Sequence, residues 1–327
     1  MHRRSHLLLR GILALVPCWL AACATTDGGS DDTSGSDGGK ADDGHATGAL
    51  TAPQRKVAEE LTSIWENDTP VLNYAYAEDI KDGRGYTSGR AGFCTGTGDA
   101  IQVIACYDAK LTTAQGNRMA KYMPALKTID ARFNATGEDQ GSTAELDAIG
   151  SWAADWASSA TSATTAPAFK TCQDRVVNRL YYGPAMQAAA KWGLRSALSK
   201  AALYDMWINQ GDDALIRAAN KLVGDTAQVA PVIGYHGITE DEWLKQFLIA
   251  RRDVMWADGT WKDAVDRVAG YEKQRRRANW DLARSIRNDV HASDCWGAPY
   301  TPSGYTIREL APDGTWTTPT ATSYRCD

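Results

Sequence analysis

The feature that most constrains this chain is a long stretch of helical periodicity between residues 117 and 290. Segments such as RMAKYMPALKTI, PAMQAAAKWGLRSALSKAALYDMWI and DEWLKQFLIARRDVMW return apolar residues at every third or fourth position. Each such helix has an apolar face that must be covered, mostly by other helices, which commits the chain to a mainly α fold. An earlier helix opens at Thr51-Ala52-Pro53, with Thr51 as N-cap and proline in the first turn. Val57, Leu61, Ile64 and Trp65 form its apolar face, and Asn67-Asp68-Thr69-Pro70 ends it. Between residues 71 and 106 the texture changes. Leu72, Tyr74 and Tyr76 alternate, six glycines fall between residues 83 and 98, and Ile101-Gln102-Val103-Ile104-Ala105 follows. That pattern predicts short strands and turns leading into a helix, so the fold is α+β with a small antiparallel sheet. The Pro-, Gly- and Thr-rich tail after residue 295 is predicted to wrap the surface.

The N-terminal part follows different rules. Residues 1–22 combine a basic start, an apolar centre and small residues before Cys23, the layout of a secretory signal. The apolar run is short and broken by Pro17, which argues against a spanning helix. Leu20-Ala21-Ala22-Cys23 resembles the lipobox of bacterial lipoproteins. The resemblance implies cleavage before Cys23, a diacylglyceryl group on its sulfur and, with Ala24 next, sorting to the outer membrane. Residues 24–48 hold no large apolar side chain and cannot offset the entropy of ordering, so they read as a flexible tether. The expected parts are a signal peptide 1–22, a lipidated Cys23 with tether 23–48, and a folded domain 49–327. Export places the protein in the bacterial envelope, held to the membrane by lipid alone, cell-surface or released.

Composition narrows the partners. The formal net charge is −5, and six aspartates of the tether stand against Lys40, so most of the acidity lies outside the folded domain. No nucleic-acid footprint is present. Of seven cysteines, Cys18 leaves with the signal and Cys23 is the lipid site. Cys94, Cys106, Cys172, Cys295 and Cys326 remain, an odd number in an oxidising compartment, so at least one is free. The five histidines are scattered and no CxxC occurs, which argues against zinc; no metal or cofactor is expected.

Three constellations can carry chemistry. The first is Glu66, where the negative end of a helix dipole and the neighbouring Trp65 disfavour a charged carboxylate and suit a general acid. A solvated helix-end glutamate is the plainer reading of Glu66 alone. The second is Glu78-Asp79-Ile80-Lys81-Asp82-Gly83-Arg84-Gly85-Tyr86-Thr87, carboxylates and one arginine in a Gly-rich turn that lets backbone approach a ligand. Its spacing misses the calcium-loop pattern, and Gly96-Thr97-Gly98-Asp99 lacks the last glycine of a phosphate loop. The third is charge on apolar helix faces. Asp205 continues the stripe Leu194, Leu198, Ala201 and Ala202, while Arg251 lies among Trp243, Phe247, Ala250 and Val254. A buried charge needs a partner, and periodicity favours these two pairing over their reaching water at a stripe edge.

Taken together, TSIWEN and YAEDIKDGRGYTSGRAGFCTGTGD resemble the catalytic region of the glycoside hydrolase family 46 chitosanases. The similarity continues through KYMPALK, QDRVVNRLYYGPAMQAAAKWGLRSAL, ALYDMWINQG, FLIARRDVM and DRVAGYEKQ. The resemblance implies a two-lobed lysozyme-like fold, with a helical major lobe, a minor lobe carrying the small sheet, and substrate in the cleft between. It implies endo-hydrolysis of the β-1,4 bonds of chitosan, a polymer of glucosamine, with inversion. Carried over position by position, it makes Glu66 the general acid, Asp82 the general base and Thr87 a holder of the attacking water. Arg84, Tyr76, Glu78, Asp79 and Asp99 become substrate contacts, and Asp258 and Asp263 candidates for further acidic subsites. Asp205, Arg251 and Arg267 become a buried network behind the acid. A cleft tryptophan of the family has no counterpart between Glu66 and Asp82, where Leu72 stands; Trp152 or Trp156 is either a stacking platform or plain core. The resemblance further implies a Cys94–Cys172 disulfide, with Cys295–Cys326 closing the tail and Cys106 free, and a monomer.

On this reading the carboxylate row attracts a polycation and selects amines over N-acetyl groups. Inversion leaves room for a water, so the two carboxyls belong at least ~6.5–9.5 Å apart, farther in an open cleft that closes on substrate. Two alternatives compete: a lysozyme-like hydrolase of peptidoglycan, and a non-catalytic glycan-binding lipoprotein. The acidic row argues against the first. Retention of both Glu66 and Asp82 argues against the second.

Overall fold

The computed structural model describes residues 48–67, 69–224, 229–258, 261–283, 286–288, 290–300, 308–310, 316–317 and 325–326. The expected signal, Cys23 and nearly all of the tether lie outside them.

Thr51 and Gln54 exchange hydrogen bonds, Gln54 N to Thr51 Oγ1 and Thr51 N to Gln54 Oε1, and so cap the first helix. This helix, α1 (Ala52–Asn67), buries Ala58, Leu61 and Ile64 and ends one residue beyond Glu66. Three two-residue strands follow: β1 (Ala77–Glu78), β2 (Thr87–Ser88) and β3 (Phe93–Cys94). They form an antiparallel sheet in the order β1-β2-β3, with Glu78 opposite Thr87 and Thr87 opposite Cys94. The Gly-rich block therefore becomes hairpin turns, as its glycines predict.

Helices then dominate. One group is α2 (Ala100–Asp108), α3 (Met123–Thr136), α4 (Thr143–Asp147), α5 (Trp152–Thr161) and α6 (Ala166–Val177). Within it α2 packs on α3 and α6, and α5 packs on α6 and β1. A single π turn, Asn178–Tyr182, carries the chain into α7 (Gly183–Trp192). The second group is α7, α8 (Ala197–Asn209), α9 (Asp213–Val223), α10 (Glu240–Ala257) and α11 (Asp266–Arg276). Here α7, α1 and α11 all pack on α8. Every residue of α8 from Ala197 to Met206 is buried, which makes it the central helix rather than an amphipathic surface one.

The tail departs from expectation. Instead of only wrapping the surface, β4 (Ile286–Asn288), β5 (Arg308–Leu310) and β6 (Trp316–Thr317) form a second antiparallel sheet, with α12 (Ala292–Trp296) between β4 and β5. Strands of two or three residues are too short to show alternation, so nothing in the local pattern announces them.

The disulfide implied by family resemblance is also corrected. Cys172 bonds Cys106, not Cys94, and Cys94 is a buried free thiol. Cys106 lies on α2, which packs on the helix carrying Cys172, whereas Cys94 in β3 faces Thr87 and the Gly92 carbonyl. Cys295–Cys326 does form. Trp152 and Trp156 are fully buried and belong to the core; their ring N–H groups donate to Ser88 Oγ and the Tyr74 carbonyl.

Candidate active site

Glu66 sits in the last turn of α1 with its side chain 24% exposed, and what lies against it is a guanidinium. Arg267 Nη2, from the first turn of α11, donates to Glu66 Oε1 at 2.9 Å. The helix end and Trp65 are local to Glu66, whereas Arg267, which family resemblance puts in a network behind the acid, reaches it from two hundred residues away. Arg267 also donates to both oxygens of Asp205, at 3.0 and 2.8 Å. Arg251 Nη2 lies 2.7 Å from Asp205 Oδ2, and Arg251 Nε donates to Gln210. Asp205 and Arg251 are fully buried. Burial alone pushes the Asp205 carboxyl up, but Arg267 and Arg251 outweigh it and hold the group below the usual carboxylate range. Conversely, burial lowers Arg267, yet Asp205 and Glu66 raise it overall, so it stays charged. The two arginines and one aspartate leave a net positive core, and Glu66 is the carboxylate that meets it at the surface.

The second carboxylate is fixed by its own turn. Lys81, Gly83 and Gly85 all adopt positive φ. Gly85 tolerates no side chain, because a Cβ there would run into Thr95 Oγ1 and Ser142 Oγ. Asp82 Oδ1 accepts the backbone N–H of Arg84 at 3.0 Å, and Oδ2 accepts Arg84 Nε and Nη2 at 2.8 and 2.6 Å. Asp79 is held in the same manner by Lys81 N and Nζ. Burial raises Asp79, but the Lys81 bonds and charge, with Thr143, bring it below its ordinary value. Tyr76 donates to Glu78 across the start of β1. Thr87, in β2, has its hydroxyl 3.6 Å from Cys94 Sγ. Burial pushes the Cys94 thiol up to about 11, so it is protonated at neutral pH.

Asp99 caps α2. Its Oδ1 accepts from Ala100 N, Cys94 N and Thr97 Oγ1. Burial outweighs those donors and raises its carboxyl to about 6. Oδ2 accepts from Tyr181, which stands on the π turn and feels both Asp99 and Glu66. Cys94 in turn feels Asp99, Arg84 and Asp82. Contacts thus join Asp82 to Arg84, and Thr87, Cys94, Asp99 and Tyr181 to one another, while the charge of Glu66 acts on Tyr181. Asp258 ends α10 and is half-buried, and Asp263 lies in the one-turn helix Lys262–Ala264 with its side chain outside the described part. Among the described residues no group of three His, Cys, Asp or Glu side chains could hold a metal ion.

Three contributors escaped the sequence reading. Tyr181 lies in a stretch that periodicity assigns to helix, and only the π turn aims it at Asp99. Asp139, in the loop before α4, acts electrostatically on both Asp82 and Arg84. Arg90, 3% exposed in the turn between β2 and β3, ties Glu59 of α1 to Asp174 of α6. No local pattern marks any of the three.

Comparison with known proteins places this arrangement. The family model described as glycosyl hydrolase family 46 matches residues 60–286. A chitosanase of Bacillus subtilis (strain 168) is 35% identical over 246 residues, 71% of this chain and 80% of its own length. The crystal structure of native chitosanase from Bacillus subtilis MY002 superposes with a TM-score of 0.62 at 32% identity, covering 73% of this chain and 95% of that one. A family 46 chitosanase of Gynuella sunshinyii, solved in complex with chitotetraose, has a TM-score of 0.60 at 34% identity over 76% of this chain and 96% of its own. With that family model matching well over half of the chain, the chain belongs to glycosyl hydrolase family 46.

Proposed function

We propose that this chain is an endo-acting chitosanase that cleaves β-1,4 bonds between glucosamine units with inversion, Glu66 acting as acid and Asp82 as base. The observation that carries the reading is the pair of partly exposed carboxylates, each held by its own arginine on a separate element. Relatives named as chitosanases at 35% and 32% identity support the substrate, as does the chitotetraose complex of the Gynuella protein.

Glu66 protonates the leaving glycosidic oxygen. Arg267 orients the carboxyl and stabilises the carboxylate left after proton transfer. Asp82 takes a proton from water on the opposite ring face, and the Thr87 hydroxyl holds that water. Glu78, Asp79 and Asp99 meet substrate amines. The chain is carried to the envelope as a lipoprotein on Cys23, with residues 24–48 as spacer.

Residues 49–327 tested on highly deacetylated chitosan, with chitin and peptidoglycan in parallel, should release reducing ends from chitosan alone. Glu66→Gln and Asp82→Asn should each lose about 10²-fold or more. An inactive, folded parent that still binds chitosan would reject the enzyme reading. Cleavage of peptidoglycan instead would reject the substrate.

A further inference from the structure

Asp82 has most of its acceptor capacity taken up by Arg84. Of the four or so acceptor positions of a carboxylate, Arg84 fills three: its backbone N–H on Oδ1, and Nε and Nη2 on Oδ2. A guanidinium drawn away would open Oδ2, and the loop before α4 carries a second carboxylate, Asp139.

That loop is clasped to the hairpin. Gln140 N donates to the Gly96 carbonyl at 3.1 Å, and Gly96 N donates to the Arg84 carbonyl at 2.9 Å. Ser142 Oγ bonds Thr95 Oγ1 at 2.9 Å, and a Cβ added at Gly141 would make ordinary contact with the Gly83 carbonyl at 3.7 Å. Arg132 from α3 holds the Gln140 side chain. Asp139, one residue before this clasp, is exposed, and its charge acts on both Arg84 and Asp82. One guanidinium thus has two carboxylates within its field, and its Nη1 donates to neither oxygen of Asp82.

We propose that Asp139 is a positioning residue of the hydrolytic reaction: it competes with Asp82 for Arg84, and a guanidinium shifted toward Asp139 leaves Asp82 Oδ2 open to accept the proton of water. The inference rests on Asp82 being the base.

Steady-state kinetics on chitosan across pH test it. Asp82→Asn is measured first, and a variant with parental activity would overturn the base assignment whatever Asp139 does. For Asp139→Asn the expected result is a kcat lower by about tenfold with KM changed less than twofold. The acidic limb of kcat/KM should move to lower pH, since removing a neighbouring negative charge makes a carboxylate easier to ionise. Asp139→Glu should restore most of kcat, and Asp139→Asn should add nothing in an Arg84→Ala background. A raised KM at unchanged kcat would make Asp139 a substrate contact and overturn the proposal. So would unchanged kinetics, or a lowered kcat with an unmoved pH profile, the mark of a loop that only holds shape. Denaturant midpoints of the variants, read beside the kinetics, separate loss of fold from loss of function.

Discussion

At the residue scale, Glu66, Asp79 and Asp82 each meet a cationic side chain, whereas the donors to Asp99 are neutral and burial sets its carboxyl at about 6. A raised carboxyl is ionised above that value and protonated below it. An amine substrate prefers the ionised form, so KM should rise as pH falls through 6, by at most about tenfold per unit. Asp99→Asn should raise KM at pH 7 and flatten that dependence. The difference between variant and parent isolates the carboxyl from titration of the substrate's own amines. Parallel KM profiles in the two proteins would remove Asp99 from amine recognition.

At the element scale, the fold depends on a staple that family resemblance misassigned. Cys106–Cys172 joins α2 to α6 across 66 residues, and closing a loop of that length restrains the unfolded chain by about 4 kcal/mol on the entropic account. Cys106→Ser should therefore lower unfolding free energy by about 2–4 kcal/mol while kcat changes little. Cys94→Ala should lower it by no more than about 1 kcal/mol. Peptide mapping without reduction provides a direct check: Cys94 should alkylate only after denaturation, and a Cys94–Cys172 peptide would contradict the structure. The staple also holds the helix that Asp99 caps, since α2 runs from Ala100 to Asp108 and carries Cys106.

At the scale of the whole molecule, Asp205 sits where α8, α10 and α11 meet and is the anion between two buried guanidiniums. Removing it takes the paired carboxylate from Arg251 and leaves Arg267 with Glu66 alone. Asp205→Ala should cost about 3–5 kcal/mol, a large share of the net stability of an ordinary domain. It should also loosen Arg267, so kcat should fall even at temperatures where the variant remains folded. Denaturant titration and kinetics on the same sample test both parts. Retained stability would mean the network is dispensable to the fold.

Local chemistry in the sequence determined a good part of this protein. Periodicity of 3.6 residues marked the helices, the cap at Thr51 and the stop at Asn67 placed Glu66 at a helix end, and glycines at 83 and 85 required a tight turn around Asp82. Charges at Asp205 and Arg251 on apolar faces demanded partners. These features lie within a few residues of one another, where spacing alone carries the information. Tertiary structure decided what depends on which elements become neighbours. Arg267 against Glu66, Tyr181 against Asp99, Asp139 beside Arg84 and Cys106 opposite Cys172 are all pairs distant in the chain. The second sheet belongs with them, because two- and three-residue strands are stable only through partners elsewhere in the fold. A sequence specifies which groups need partners, and packing of the helices selects the partner each one finds.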